Sequence, residues 1–414
     1  MRRPGRSPRN RGLAAAALLA LPLVSACGHV IEARFAPNFG RPFDFRDPPC
    51  RPRPEPPAPP GPPGSGDSVL IRYLGAGGLY LRWAETSILT GPFFSNPGRA
   101  RAAFGKLAPD AEAVRRGLAG IDAASVRGIL VGHSHYDHLG DLPLVAGEHA
   151  ASARLHVNRS GARMLAALPD LAARAAVLDE RAVSWIWIED AAGGRAPVRF
   201  MPVPSEHAPQ IAGYRWADGE VGEPWTLPWT ETRIRRFLAG TTYAFVIDLM
   251  SRDLAEVRFR IYYQDAASPA GAGIPPRFEG TDGHPYDLAV LCMASSHLAA
   301  GHPEGLAACL RPRHVLVTHY EDFLRSREKS LRFVPLLTDR RANAFLARLT
   351  GALEGAGTAA GGGPPAAGPL GSVCGPSGPG YTMPLPGEWM RFAVPDAPGA
   401  PVPAPLKAPA GPGV

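Results

Sequence analysis

His133, His135, Asp137 and His138 fall within six residues of one another. Four side chains able to ligate a cation, packed this densely, point to metal chemistry. An apolar run from Val126 to Val131 leads into them and reads as a buried strand. Gly132 and Gly140 bracket the group, so the chain can turn sharply at both ends. Alternate positions after a strand end point the same way. His133 and His135 can therefore grip one cation. Asp137 and His138 fall on the other side of the turn and can grip a second. Imidazole and carboxylate suit zinc, manganese or iron.

The stretch from Val131 to Pro143, VGHSHYDHLGDLP, resembles the metal-binding signature of the metallo-β-lactamase-fold hydrolases. The resemblance implies an α/β fold, a four-layer αββα sandwich, over roughly residues 68–350. It implies a one- or two-metal site at the edge of the sheets; the expectation is two divalent metal ions, zinc first and manganese or iron as alternatives. His207, in Ser-Glu-His-Ala-Pro, is by chemistry alone a lone histidine after a strand. The family places the third histidine of its first metal there. Asp265 leaves a buried strand and could bridge two cations with its two oxygens, which matches the family's bridging carboxylate. His319 ends the last strand and matches the final histidine of the second metal. His133, His135 and His207 would then hold one metal, and Asp137, His138 and His319 the other, with Asp265 between them.

Three neutral ligands leave the charge of the first metal undiminished. A bound water is then acidified towards neutral pH and supplies hydroxide as nucleophile. Asp137 is the residue to orient that nucleophile or shuttle a proton. His297 follows the strand Asp287 to Met293 and could reach the substrate or the shell around the metals. One departure stands out. Many relatives carry an aspartate before proline where this chain has Gly91-Pro92, so another group must brace the metal shell. The order of strands and histidines is similar to the phospholipase-D-like and sugar-lactone-hydrolysing branch. That similarity implies a phosphodiester or a cyclic ester, in a small-molecule or lipid substrate. The alternatives are an iron-dependent oxidoreductase using the same ligands, and a non-catalytic envelope lipoprotein that keeps the fold as a scaffold.

The elements that must position these residues alternate between strand and helix. Val69 to Leu74 and Leu79 to Trp83 read as a hairpin about Gly75–Gly78, and Thr86 to Thr90 as a third strand. Ala108 to Leu118 has a helical pattern. A helix should start at Asp141 and run towards Ala150. Leu155 to Asn158 is a short strand, and Ser160 should cap a helix through Leu168. Val198 to Val203, Thr242 to Leu249, Val257 to Gln264, Asp287 to Met293 and His314 to Thr318 read as further strands. Helices are expected over Pro303 to Leu310 and Thr338 to Leu349. Between them, residues 211–240 hold Trp216, Trp225 and Trp229, a loop that is either a satellite core or a substrate wall.

The two ends of the chain have a different composition. Arg2, Arg3, Arg6, Arg9 and Arg11 precede a short apolar run, Leu13 to Val24, and small residues before Cys27. Residues 1–26 therefore read as a signal peptide, and Cys27 resembles the lipidated cysteine of a bacterial lipoprotein. Residues 27–67 would be anchor and linker, with ten prolines between Pro48 and Pro63 forming a semi-rigid spacer. The expected location is the outer membrane, facing the periplasm, with secretion as the alternative. Residues 351–380 read as a Gly/Ala/Pro-rich linker, 381–394 as a returning edge strand and 395–414 as a disordered tail. Five of the +7 formal charges belong to the leader arginines, leaving +2 for the mature chain and no case for a nucleic-acid partner. Cys50 and Cys374 could pair outside the cytoplasm, whereas Cys292 reads as a core residue.

Overall fold

The computed structural model describes residues 68–210, 213–279, 282–359, 377–378 and 380–394. The expected leader, Cys27, the proline-rich spacer, Cys50, Cys374 and the tail lie outside these residues. Among the described residues no helix is long and apolar enough to cross a membrane.

Alternation along the first strand decides the layering. In β1 (Ser68–Gly75), Val69, Ile71 and Tyr73 face one way into one apolar cluster, and Leu70 and Leu74 face the other way into a second. Such a strand needs a partner layer on each face. The first sheet has the order β15-β1-β2-β3-β4-β5-β6. Its members are β2 (Gly78–Trp83), β3 (Thr86–Thr90), β4 (Val126–Leu130), β5 (Arg154–Val157), β6 (Ala175–Val177) and β15 (Trp389–Ala393). One face meets helices: Val114 and Leu118 of Ala111–Leu118 and Met164 and Leu165 of Arg159–Leu165 pack there. The other face meets the second sheet.

The second sheet has the order β13-β14-β12-β11-β10-β9-β8-β7. It comprises β7 (Ile186–Glu189), β8 (Arg195–Ser205), β9 (Thr242–Met250), β10 (Val257–Tyr263), β11 (Leu288–Cys292), β12 (His314–Thr318), β13 (Ser377–Gly378) and β14 (Tyr381–Thr382). Both β9 and β11 are buried along their whole length, as strands covered on two faces must be. The helices Glu304–Leu310 and Asp339–Ala359 add Leu306, Leu310, Phe345, Leu346 and Leu349 to the same apolar cluster.

A charged ladder also crosses this sheet. Asp248 on β9 lies opposite Arg199 on β8 and Arg260 on β10. Its carboxylate accepts from Arg199 Nε at 3.0 Å and from Arg260 Nε at 2.7 Å. Trp185 covers the Arg199 guanidinium at 4.0 Å, and Phe278 covers that of Arg260 at 4.5 Å.

Several local expectations are corrected. The helix expected from Asp141 is a single turn, Leu142–Leu144, continued by a π-helical turn, Val145–His149. Asn158, not Ser160, caps the helix Arg159–Leu165, accepting from Gly161 N–H at 2.8 Å. Ser160 Oγ instead accepts from Val221 N–H at 3.0 Å and fastens the tryptophan-bearing loop. The segment expected as one returning strand supplies two. Tyr381–Thr382 extends the second sheet beside β12, and Trp389–Ala393 pairs antiparallel with β1.

Candidate metal centre

Each ligand-type residue of the sequence follows the C-terminal end of a strand or the turn after one. β4 leads into His133 and His135, and the short helix Tyr136–Leu139 carries Asp137 and His138. His207 follows β8, Asp265 follows β10 and His319 follows β12. β8, β10 and β12 run in one direction, so their ends meet β4 at one edge of the sandwich. The motif loop is sewn to the start of β9. Gly132 O accepts from Tyr243 N–H at 2.8 Å and Ser134 N–H donates to Ala239 O at 2.9 Å. Asn158 completes the clamp, accepting from Ser134 Oγ at 2.6 Å and donating to Ala239 O and Thr241 O.

The seven residues converge into three overlapping groups: His133, His135 and His207; His133, His138 and Asp265; Asp137, His138 and His319. In each group the candidate donor atoms lie within 4.8 Å of one another. His133 Nε2 and His135 Nδ1 are 3.0 Å apart. Asp265 Oδ1 is 3.1 Å from His133 Nδ1, and its Oδ2 is 3.7 Å from His138 Nδ1. The carboxylate thus turns one oxygen towards a histidine of each sequence-predicted metal. Asp137 Oδ2 is 3.4 Å from His319 Nε2 and 3.6 Å from His138 Nε2.

The donor set fits cations. Both ring nitrogens of His138 and Nδ1 of His319 are buried without a hydrogen-bond partner. Burying such groups unpaired is costly, and a cation at the centre would satisfy the nitrogens that face it. Burial, with the neighbouring His133 and His207, holds His135 well below the usual histidine range. Burial pushes His207 down to about 3 and His138 to about 4. These imidazoles stay neutral at pH 7 and keep the lone pairs that a metal takes. Burial works to raise Asp137 and Asp265. For Asp137 the contacts with His138 and His319 outweigh burial, and for Asp265 those with His133 and His138 do. Both stay ionised. Burial opposes protonation of His319, but its contact with Asp137 raises it above the ordinary value.

Two glycines admit this packing. A Cβ on Gly132 would stand 2.6 Å from both oxygens of Asp265. Gly77, at φ +79°, sits in the β1–β2 turn against His319 and Asp265, where a Cβ would lie 3.5 and 3.6 Å from their atoms. The Gly-rich turn joins two strands, as its sequence suggests, and it also floors the site. We predict that Gly132→Ala will displace the Asp265 carboxylate and weaken metal binding by about 10- to 100-fold while leaving circular dichroism unchanged. Metal content per chain after dialysis checks this, and a content equal to that of the parent refutes it.

Other supports were not legible in the sequence. His319 adopts φ +55°, and its N–H donates to Tyr73 Oη at 2.8 Å. Tyr73 Oη in turn donates to Glu321 at 2.7 Å, which also accepts from Ala76 N–H at 2.5 Å. A left-handed histidine is thereby held by residues at the far end of the domain sequence. Asp141 is buried and accepts from Phe94 N–H at 2.6 Å and from Ser95 N–H at 2.9 Å, tying the segment after β3 to the motif. Gly91 lies where a Cβ would be 3.0 Å from His138 Nδ1, one of its two unpartnered nitrogens. The brace expected from an aspartate has no counterpart at that position.

Two tryptophans of the loop follow the satellite-core reading. Trp225 and Trp229 pack edge to face with Phe237 at 5.0 and 5.3 Å and form core. Trp216 lies 6.2 Å from the His135 ring and 6.0 Å from Tyr136. Phe323 lies 5.0 Å from the His319 ring and 6.3 Å from Tyr136. Trp216, Tyr136 and Phe323 thus make an aromatic band from one end of the centre to the other. His297 is outside the three groups. Burial, with Arg341 nearby, pushes it down to about 4, and its Nδ1 has no partner.

Residues 86–224 match the family described as the beta-lactamase superfamily domain. The matched stretch runs from β3 through His207, with two sheets stacked between helices around it. The fold is the metallo-β-lactamase fold. Asp265 and His319 lie beyond the matched residues. Solved structures similar to this metallo-β-lactamase fold include a metallo hydrolase from the hyperthermophilic archaeon Ignicoccus hospitalis. It is 15% identical, covers 79% of this chain and 100% of its own, and has a TM-score of 0.43. CmlA, a diiron beta-hydroxylase from Streptomyces venezuelae, is 15% identical over 73% of this chain and 53% of its own, with a TM-score of 0.38. MEM-A1, a subclass B3 metallo-beta-lactamase from a soil metagenome library, is 13% identical over 75% of this chain and 98% of its own, with a TM-score of 0.31. Overlap at this level carries no argument about chemistry. Comparison with curated proteins gave no match.

Proposed function

We propose that this chain is a metal-dependent hydrolase acting on a phosphodiester or a cyclic ester. The observation that carries the reading is the convergence of His133, His135, Asp137, His138, His207, Asp265 and His319 on one buried centre, with nitrogens of His138 and His319 unpartnered. Two divalent cations bound there would supply Lewis acidity and a water acidified towards neutral pH.

The chain's own residues do the rest. His133, His135 and His207 would hold one cation; His138, His319 and Asp137 would hold the other; and Asp265 would fix their separation. Asp137 stays ionised, and its Oδ2, beside His319, is placed to hold or pass a proton. Trp216, Tyr136 and Phe323 would exclude water from one side and contact an apolar part of the substrate, which favours esters with a hydrophobic substituent.

The test is metal analysis of the purified protein, followed by turnover of phosphodiesters, lactones and β-lactams with zinc or manganese. His207→Ala should lose mainly the first metal and His319→Ala the second, each with turnover reduced far more than folding. A parent that binds no metal at micromolar concentration overturns the hydrolase reading. Nitrogen and oxygen donors also suit iron. Iron in the purified protein, with oxygen consumption and no hydrolysis, would replace it by an oxidoreductase.

A further inference from the structure

A cavity of about 210 Å³ lies at the other end of β4 from the metal centre. Arg127 is the second residue of β4, and the metal-ligand candidates follow the far end of that strand. The cavity is walled by β4, β5 and β6 of the first sheet and β7 of the second. Gly128 lets the sheets approach here, since a Cβ on it would meet Ile188 of β7 at 2.7 Å.

The lining is strongly one-signed. Arg127, Arg154 and Arg181 line the cavity, against Glu189 as its one carboxylate. None of the three arginines forms an ion pair with a described residue. Uncompensated guanidiniums around a concave surface attract anions, and their planar forks match oxoanions. The second observation is His156, which also lines the cavity. It is 4% exposed, and its Nδ1 is buried with no hydrogen-bond partner. Burial and the charges of Arg154 and Arg181 push it down to about 3, so it is a neutral N–H donor at pH 7. Trp187, under the guanidinium of Arg195 at 5.2 Å, closes the wall.

We propose that this cavity binds a dianionic oxoanion group, a phosphate or phosphate monoester, at a site separate from the metal centre. Three arginines against one glutamate leave two positive charges, which a dianion neutralises. The volume holds about seven waters, enough for a phosphate with a small substituent. Neutral His156 adds a polar wall without adding charge. The site does not depend on the metal reading.

The probe is inorganic phosphate, titrated by calorimetry into the full-length parent and into an Arg154→Gln/Arg181→Gln variant. Both arginines are exposed, so the variant should fold. The expected result is saturable binding that weakens with salt and falls by more than about tenfold in the variant. Phosphate held at the metal centre would be indifferent to these substitutions. A parallel arm uses phosphatidylcholine vesicles containing phosphatidic acid. Capture by the vesicles alone, lost in the variant, supports the same chemistry presented by a lipid headgroup. Equal binding by parent and variant overturns the site, as does a parent that binds neither probe.

Discussion

Asp265→Ala should cost at least about 100-fold in turnover and leave two weakly coupled cations, or one, in place of a coupled pair. The carboxylate touches a histidine of each proposed metal, at 3.1 and 3.7 Å, and Gly132 N–H donates to it at 3.2 Å. Among the described residues no other carboxylate makes an ion-pair contact with histidines of both halves: Asp137 contacts His138 and His319. Asp265 stands at a strand end, so its loss should leave the sheets intact. The readouts are metal content per chain, circular dichroism and turnover of the best screened ester. Two metals bound as tightly as in the parent, with activity kept, would show that Asp265 is not the bridge. This outcome differs from Gly132→Ala, where the carboxylate remains but is pushed aside.

Asp248→Ala should act on stability instead. The change leaves Arg199 and Arg260 facing each other across β9 with no charge between them. Arg260 and Asp248 are fully buried, so water cannot screen the loss. Breaking a buried pair from one side costs about 3–5 kcal/mol, because the remaining ion is stranded. Arg260 is the ion left without a carboxylate, since Asp248 is its ion-pair partner among the described residues. Arg260 keeps its bonds to the carbonyls of Asp282 and His284, and Arg199 keeps its contact with Asp282, which limits the damage. Asp248→Asn, which keeps the shape and some hydrogen bonding, should lose less. Urea unfolding reads both, and a midpoint for Asp248→Ala equal to the parent's contradicts the buried-pair account.

The metal-ligand candidates were legible because the chemistry is local in sequence or sits directly after a strand. His133 to His138 declare themselves by density alone. His207, Asp265 and His319 do so by following apolar runs, with the family order giving them their roles. What supports them was not legible. Tyr73 and Glu321 meet across almost the whole domain, and no pattern in either segment announces the other. Gly77 and Gly132 look like ordinary turn glycines until the atoms that would strike a Cβ are known. β6 and β7, of three and four residues, are too short to show a period of two, and the anion cavity they help to wall was hidden with them. Ser160 and Asn158 both suit a helix cap. The choice fell to Asn158 because its amide also reaches Ala239 and Thr241, and Ser160 was claimed by Val221.

The pairing of β15 with β1 bears on how this chain is made. β1 precedes every other described strand, yet its outer neighbour is residues 389–393. β12 likewise waits for Tyr381 and Thr382. During synthesis each sheet therefore carries this edge uncovered until residues 381–393 have emerged, and an uncovered edge is a template for pairing with another molecule. Both edges are covered from one short segment, so the two sheets wait for the same residues.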